Sequence, residues 1–229
     1  IRYVTSSASV PGFNVPAPTA ASTEYTAPLT ITGSTVIRAA VFSNNDTLAG
    51  PATSAHFLEL DASLAVFGSA MPVLVLDNLG AGPLEKDGVD HPTWLYAYAP
   101  RAPGVGPLVT TPDVATSLTS TVRGQTAASF PKKPFNLKFT DEGGAKRSQA
   151  LFGSAAYEKW ALIAPWYYDR TYLHNALAYA LSNRIGRWAP RTWLTEVFSN
   201  TGSRLYSDDY YGVCVLTDRI ELGAGRVEL

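Results

Sequence analysis

The chain reads as an α+β protein: a strand-rich first segment, then a mainly antiparallel sheet that carries one long helix. Three observations predict this. Apolar and polar residues alternate in short runs between turn residues along most of the chain, which is the period of a half-buried strand. One stretch, Arg170 to Ile185, instead places Leu173, Ala176, Leu177, Ala180, Leu181 and Ile185 at helical spacing. Strand-like runs lie on both sides of that stretch, so the order is strands, one helix, strands.

Taken in order, Ile1 to Thr5 alternates, and a loop rich in Pro, Ala and Ser follows from Val10 to Thr23. Leu29-Thr30-Ile31 and Thr35 to Phe42 are the next strands, Asn44-Asn45-Asp46 is a turn, and Ala55 to Leu60 closes the segment. Short strands at this density predict a β-sandwich over residues 1–60. Residues 61–71 read as a linker, and a second domain is expected over 72–229. It opens on the apolar strand Val73 to Leu76, followed by a turn-rich loop from Gly80 to Gly88. Trp94 to Tyr98 reads as a strand, Arg101 to Pro112 as a loop, and Ser117 to Arg123 as a strand leading into Gly124. Phe135 to Phe139 alternates cleanly, and Asp141-Glu142-Gly143-Gly144 resembles a hairpin turn. Asp169 suits the N-cap or first turn of the helix, where a carboxylate favours the dipole. Gly186 suits its C′ position. Thr192 to Ser199 and Tyr211 to Leu222 are the last strands.

Composition narrows the function. The 229 residues are 46% hydrophobic and 16% charged, with a net charge of −1. That gives no basic excess for a nucleic acid and no basic amphipathic helix for a membrane surface. No apolar run reaches the roughly 18 residues that span a bilayer. Cys214 is the single cysteine. It lies in an apolar strand and reads as a buried core thiol. Few lysines beside many Thr, Ser, Ala and Pro suit an exported bacterial protein. Ile1 is not an initiator and no signal peptide precedes it, so the chain is expected to be an internal piece of a longer polypeptide.

Several chemistries find no support. His56, His91 and His174 are scattered, without the paired spacing of a zinc site. There is no Gly-x-Ser-x-Gly elbow and no Walker-type phosphate loop. Cations are the remaining lead. Lys132, Lys133 and Lys138 lie on or beside one strand. Lys138 alternates away from the apolar face, whereas Lys133 has the parity of Phe135 and is expected to point towards a cleft. By spacing alone all three also read as ordinary solvated lysines. Arg123 at a strand end could grip a phosphate as a planar fork or form a structural ion pair. Arg170 at the helix start leaves the same two readings.

Four motifs in order carry a resemblance: Arg123-Gly124, then Phe130-Pro131-Lys132-Lys133-Pro134-Phe135-Asn136-Leu137-Lys138-Phe139, then Trp160 to Thr171, then the run from Leu173 to Gly186. Together they resemble the CotH kinase family, atypical secreted protein kinases named after a spore-coat protein. The resemblance implies a kinase-like N-terminal lobe over residues 72–229, with ATP and Mg2+ as cofactors of the parent protein. It implies transfer of phosphate to secreted or surface proteins outside a bacterial cell. Lys133, Arg123, Lys132 and Arg170 are the nucleotide-side candidates. The family's catalytic and metal-binding aspartates are expected beyond Leu229, so no catalytic residue and no metal ligand is assigned, this fragment is expected to be inactive, and no cofactor is expected bound to it. The expected partners are the rest of the polypeptide and a protein substrate or surface-assembly partner. The helix holds no Glu or Asp to pair with the strand lysine, which leaves Glu196 or Asp218 for that role. Tyr25 to Ile31 with Ser34 to Ala39 is similar to the immunoglobulin-like module at the C-terminus of chitobiases, with its first strand missing, so the sandwich is expected to be truncated. The alternative is a structural or adhesive surface protein that uses a kinase-like scaffold without catalysis. A carbohydrate-binding module is a third reading, resting on the chitobiase-like segment and exposed aromatics.

Overall fold

A computed structural model describes residues 1–7, 15–102, 106–141, 144–166, 168–223 and 226–227. Parts of the loops expected at 10–23 and 101–112, and Glu142-Gly143 of the expected hairpin turn, lie outside the described residues. The first strands are β1 (Arg2–Ser7), β2 (Thr23–Glu24), β3 (Thr35–Ala40) and β4 (Thr53–Phe57). They form one antiparallel sheet in the order β2-β1-β3-β4. A sandwich needs two facing sheets, and the described residues of this segment form one. Its inner side instead rests on the second part of the chain, where Val4, Val15 and Val36 pack with Leu79.

That second part is a closed barrel. Its strands are β5 (Val73–Asp77), β6 (His91–Tyr98), β7 (Val114–Val122), β8 (Phe135–Phe139), β9 (Lys159–Ile163), β10 (Thr192–Asn200) and β11 (Tyr210–Asp218). They run in the order β10-β11-β9-β8-β7-β6-β5. All pairs are antiparallel except the closing one, in which Val73 to Asp77 run parallel to Glu196 to Asn200. This overturns the expected kinase-like lobe, an open sheet backed by a long helix. Closure satisfies every sheet edge from within the chain, and a barrel this small fills its lumen with side chains. Phe135, Leu137 and Phe139 of β8 point inwards in strict alternation. They meet Leu74, Leu95, Leu118, Trp160, Leu162 and Leu216 in one core.

A second core covers the outside of β5, β6 and β10, and it explains why β5 is buried on both faces. Val73, Val75, Trp94, Tyr96, Tyr98 and Phe198 face outwards there. A 3-10 turn, Ala62–Val66, lays Leu64 over them. Asp61 caps that turn through Ser63. Residues 61–71 therefore carry packing contacts of their own.

The sheet and the barrel share a buried polar junction. His56 of β4 is 8% exposed and Asp77 of β5 is 1% exposed. His56 Nε2 lies 3.1 Å from Asp77 Oδ2. His56 Nδ1 meets the Tyr96 hydroxyl, which donates to the His56 carbonyl at 3.0 Å. Asp77 Oδ1 accepts from the Leu79 amide at 3.0 Å and from Asn200 at 3.1 Å. Burial, then the nearby Asp77 charge, pushes the Tyr96 phenol far up from its ordinary pKa, so it stays protonated and able to donate.

The helix also departs from expectation. It spans α1 (His174–Arg184) and not Arg170 to Ile185. Tyr172 takes φ +61°, which interrupts helical geometry just upstream. The leucine face is turned outwards: Leu173, Leu177, Leu181 and Ile185 are 48–77% exposed. Ala176, Tyr179 and Ser182 are the half-buried positions. Asn175 is exposed. Gly186 does end the helix as C′, with φ +77° and its amide on Asn183 O. Among the described residues no helix is long and apolar enough to cross a membrane.

Candidate functional site

Phosphate binding needs cations whose charge is not already spent. The four candidates divide on that test. Lys132 is 7% exposed. Its ammonium donates to the Val213 carbonyl and sits 4.9 Å from the centroid of the Tyr172 ring. Among the described residues no carboxylate pairs with it. Gly212 makes room: φ is +95° there, and a Cβ would stand 3.3 Å from Lys132 Nζ. The left-handed Tyr172 costs roughly 1–3 kcal/mol of backbone strain and faces the same ammonium.

Lys133 points elsewhere. Its ammonium pairs with the exposed Glu85 at 2.5 Å. Lys133 lines a cavity of about 210 Å³ together with Phe135, Tyr210 and Tyr211, so it does face a cleft, although β8 begins only at Phe135. Pro131 and Pro134 keep the preceding residues out of the ladder, so strand alternation cannot be extended back to Lys133. The Tyr211 hydroxyl instead donates to the Lys133 carbonyl at 2.8 Å. Lys138 is held by both carboxylate oxygens of Asp90 at 2.8 Å. It is thus paired at the surface and not merely solvated.

Arg123 is half-buried at the end of β7. Burial, then the neighbouring Arg219, pushes its guanidinium pKa down, and Tyr179 of α1 opposes this. Two arginines close enough to repel, with no carboxylate paired to either among the described residues, leave a local positive field. Gly124, with φ +88°, turns the chain after Arg123 as expected. Arg170 is exposed, and no ion pair holds it among the described residues.

Neither proposed charge partner reaches the lysines. Glu196 accepts from Ser69 at 3.2 Å and from the Tyr210 hydroxyl. Asp218 accepts from the Arg191 amide at 2.6 Å. Asp169 is buried beside the helix start, but the N-cap position is Leu173. The Asp169 carboxylate reaches across to the His174 amide at 3.2 Å and the Thr171 hydroxyl at 2.9 Å. Burial pushes its pKa up, but these hydrogen bonds outweigh it and hold the carboxyl below its ordinary value. Among the described residues no group of three or more His, Cys, Asp or Glu is placed to hold a metal.

Tyr172 is the member that motif reading passed over; it is an aromatic neighbour of Lys132 that only the fold brings near. Cys214 lies beneath the same ammonium, buried and unpaired. Burial pushes its thiol up to about 12, with Lys132 opposing. Almost no thiolate exists at pH 8, so the native protein is expected to resist Ellman's reagent and to react only on unfolding. Rapid reaction of the folded chain would show that β11 opens.

The arrangement is a closed seven-stranded β-barrel that carries the buried Lys132 ammonium and the neighbouring pair Arg123 and Arg219. Residues 121–227, which run from the end of β7 through β11, match the model of the CotH kinase protein family, and this match supports the CotH resemblance. It covers all four candidate cations and Arg219. No curated protein matches the chain.

Proposed function

We propose that this chain supplies the phosphate-binding side of an exported, CotH-like bacterial protein kinase that moves phosphate from ATP to secreted or surface proteins. The observation that carries the reading is Lys132: a buried ammonium with no carboxylate paired to it among the described residues, inside the stretch that matches the CotH kinase family. Lys132, Arg123 and Arg219 would hold the nucleotide phosphates, with Arg170 at the rim. Their charge and donor geometry fit an anion. ATP would supply the phosphoryl group, and no residue here is assigned to Mg2+. Phosphoryl transfer also needs metal-binding and acceptor-orienting carboxylates. In this reading those aspartates lie in further sequence, and residues 1–229 bind nucleotide without transferring phosphate. Residues 1–60 act as an accessory spacer, 61–71 as a connection, and 72–229 as the phosphate-side domain, working outside the cell with the rest of the polypeptide.

Calorimetry with ATP and Mg2+ tests this. A charge-assisted hydrogen bond is worth about 1.5–3 kcal/mol, so Lys132→Met is expected to weaken binding about tenfold to a hundredfold. Lys133→Met, which only releases exposed Glu85, is expected to change it little. Arg219→Gln, at a half-buried position, checks the site without disturbing the core. Equal small losses in all three variants, or no binding by the parent chain, would favour the second reading. That reading is a structural or adhesive surface protein, and the Glu85–Lys133 ion pair favours it because it neutralises one of the motif lysines.

A further inference from the structure

We propose that the outward face of α1 docks an acidic amphipathic helix of another protein. Leu173, Leu177, Leu181 and Ile185 stand four residues apart, and all are exposed. Large apolar side chains gathered on one face mark an interaction site. The helix is fixed in this orientation at both ends. The buried Asp169 carboxylate accepts from the His174 amide at 3.2 Å. The Asn183 side chain donates to the Ala189 carbonyl at 3.0 Å and accepts from the Ala189 amide at 2.9 Å. Turning the leucines inwards would break these bonds and expose the half-buried Ala176 and Tyr179.

Shape and charge define the occupant. Residues four apart form a ridge inclined to the helix axis, and such a ridge fits the groove of a second helix that crosses at about −50°. Ala178 and Ala180 are exposed beside Leu177 and Leu181, and their small side chains leave a shallow groove for the ridge of that second helix. Arg184 follows Leu181 by three residues, so it shares the leucine face. Arg187 lies just past the helix end, and both arginines are exposed. Neither is paired with a carboxylate among the described residues, and α1 itself holds no Asp or Glu. A partner helix with an apolar ridge and Asp or Glu along its edges complements both features. A second copy of this chain does not, because a two-fold contact puts the same patch on both sides and sets arginine against arginine. A lipid surface is a poorer match, since α1 holds no Trp, Phe or Lys to seat it at an interface. The face shares no residue with the Lys132 group, so this inference stands apart from the kinase reading.

The test uses the full chain and stapled helical peptides of about 18 residues, long enough to hold a helix. Each peptide carries leucine at every fourth position and either Glu or Lys at the flanking ones. Fluorescence anisotropy is expected to show saturable binding of the Glu peptide, about tenfold tighter than the Lys peptide. The amide NMR shifts it causes are expected along α1. Leu177→Ser combined with Leu181→Ser removes the ridge at exposed positions, and is expected to abolish binding with little change in thermal midpoint. Arg184→Glu is expected to reverse the order of the two peptides. No saturable binding of the Glu peptide, binding that survives the double leucine variant, or an order unchanged by Arg184→Glu would overturn the proposal. Self-association of the parent chain in sedimentation, lost in the leucine variant, would overturn it in favour of a second copy. Binding to phosphatidylglycerol vesicles in place of the peptides would overturn it in favour of a membrane. Loss of peptide binding in a longer form of the polypeptide would assign the face to that form's own added sequence and overturn it too.

Discussion

Asp77→Ala is expected to destabilise the protein by about 3–5 kcal/mol, since each buried group left without its acceptor costs about 1–3 kcal/mol. The substitution strands three groups at once: His56 Nε2, the Leu79 amide and the Asn200 amide. All lie where water cannot replace the lost acceptor. At this chain length each kcal/mol moves Tm by about 2–4 °C, so a fall of roughly 6–20 °C is expected. A double-mutant cycle with His56→Ala would separate the pair from the other bonds, because coupled neighbours fail to add. The junction also joins the sheet to the barrel, so urea unfolding of the parent chain is expected to be a single transition. A loss below about 1 kcal/mol would mean that the junction is hydrated and contributes little.

Trp160→Ala is the second large effect, expected to cost about 3–5 kcal/mol. Trp160 is fully buried in the barrel lumen. Its ring lies 5.8 Å from Tyr157 and 5.7 Å from Trp193, each at a steep angle. Such aromatic pairs add about 0.5–1.5 kcal/mol beyond area burial. The indole N–H has no partner among the described residues. Trp160→Phe keeps much of the volume and removes a buried donor that gains nothing, so it is expected to cost less than about 1.5 kcal/mol. Denaturant midpoints for the two variants make the comparison. A phenylalanine as damaging as alanine would show that the N–H is bonded to something that stabilises it.

Local pattern was legible in the sequence where the chain is regular. Phe135, Leu137 and Phe139 could be read as inward because nothing interrupts their alternation. Gly124 and Gly186 could be read because a positive φ leaves few residue choices. Cys214 could be read because its neighbours are apolar on both sides. Closure was not legible, since the parallel pairing of β5 with β10 joins segments that share no local signal. The helix misled because Leu173, Leu177 and Leu181 are a correct stripe that nothing among the described residues covers. At the site, motif reading favoured Lys133, whereas the buried ammonium of the pair is that of Lys132. Pro131 and Pro134 flank the pair, and the two side chains diverge, Lys132 to the Val213 carbonyl and Lys133 to Glu85. Lys132's neighbours Tyr172 and Gly212 are distant in sequence, and only the barrel brings them to it.

The parallel seam has a consequence for biosynthesis. Val73 to Asp77 leave the ribosome long before their partners Glu196 to Asn200 exist. During that interval β5 can pair with β6, but its other edge stays open, an apolar strand primed to join any neighbouring chain. High contact order slows this last step further, because the loop entropy is lost before the pairing is gained. Truncation within or before β10 is therefore expected to yield insoluble nascent chains and not a smaller folded barrel. Any export route that threads the chain unfolded would postpone the same closure to the far side of the membrane, where no ribosome shields the edge.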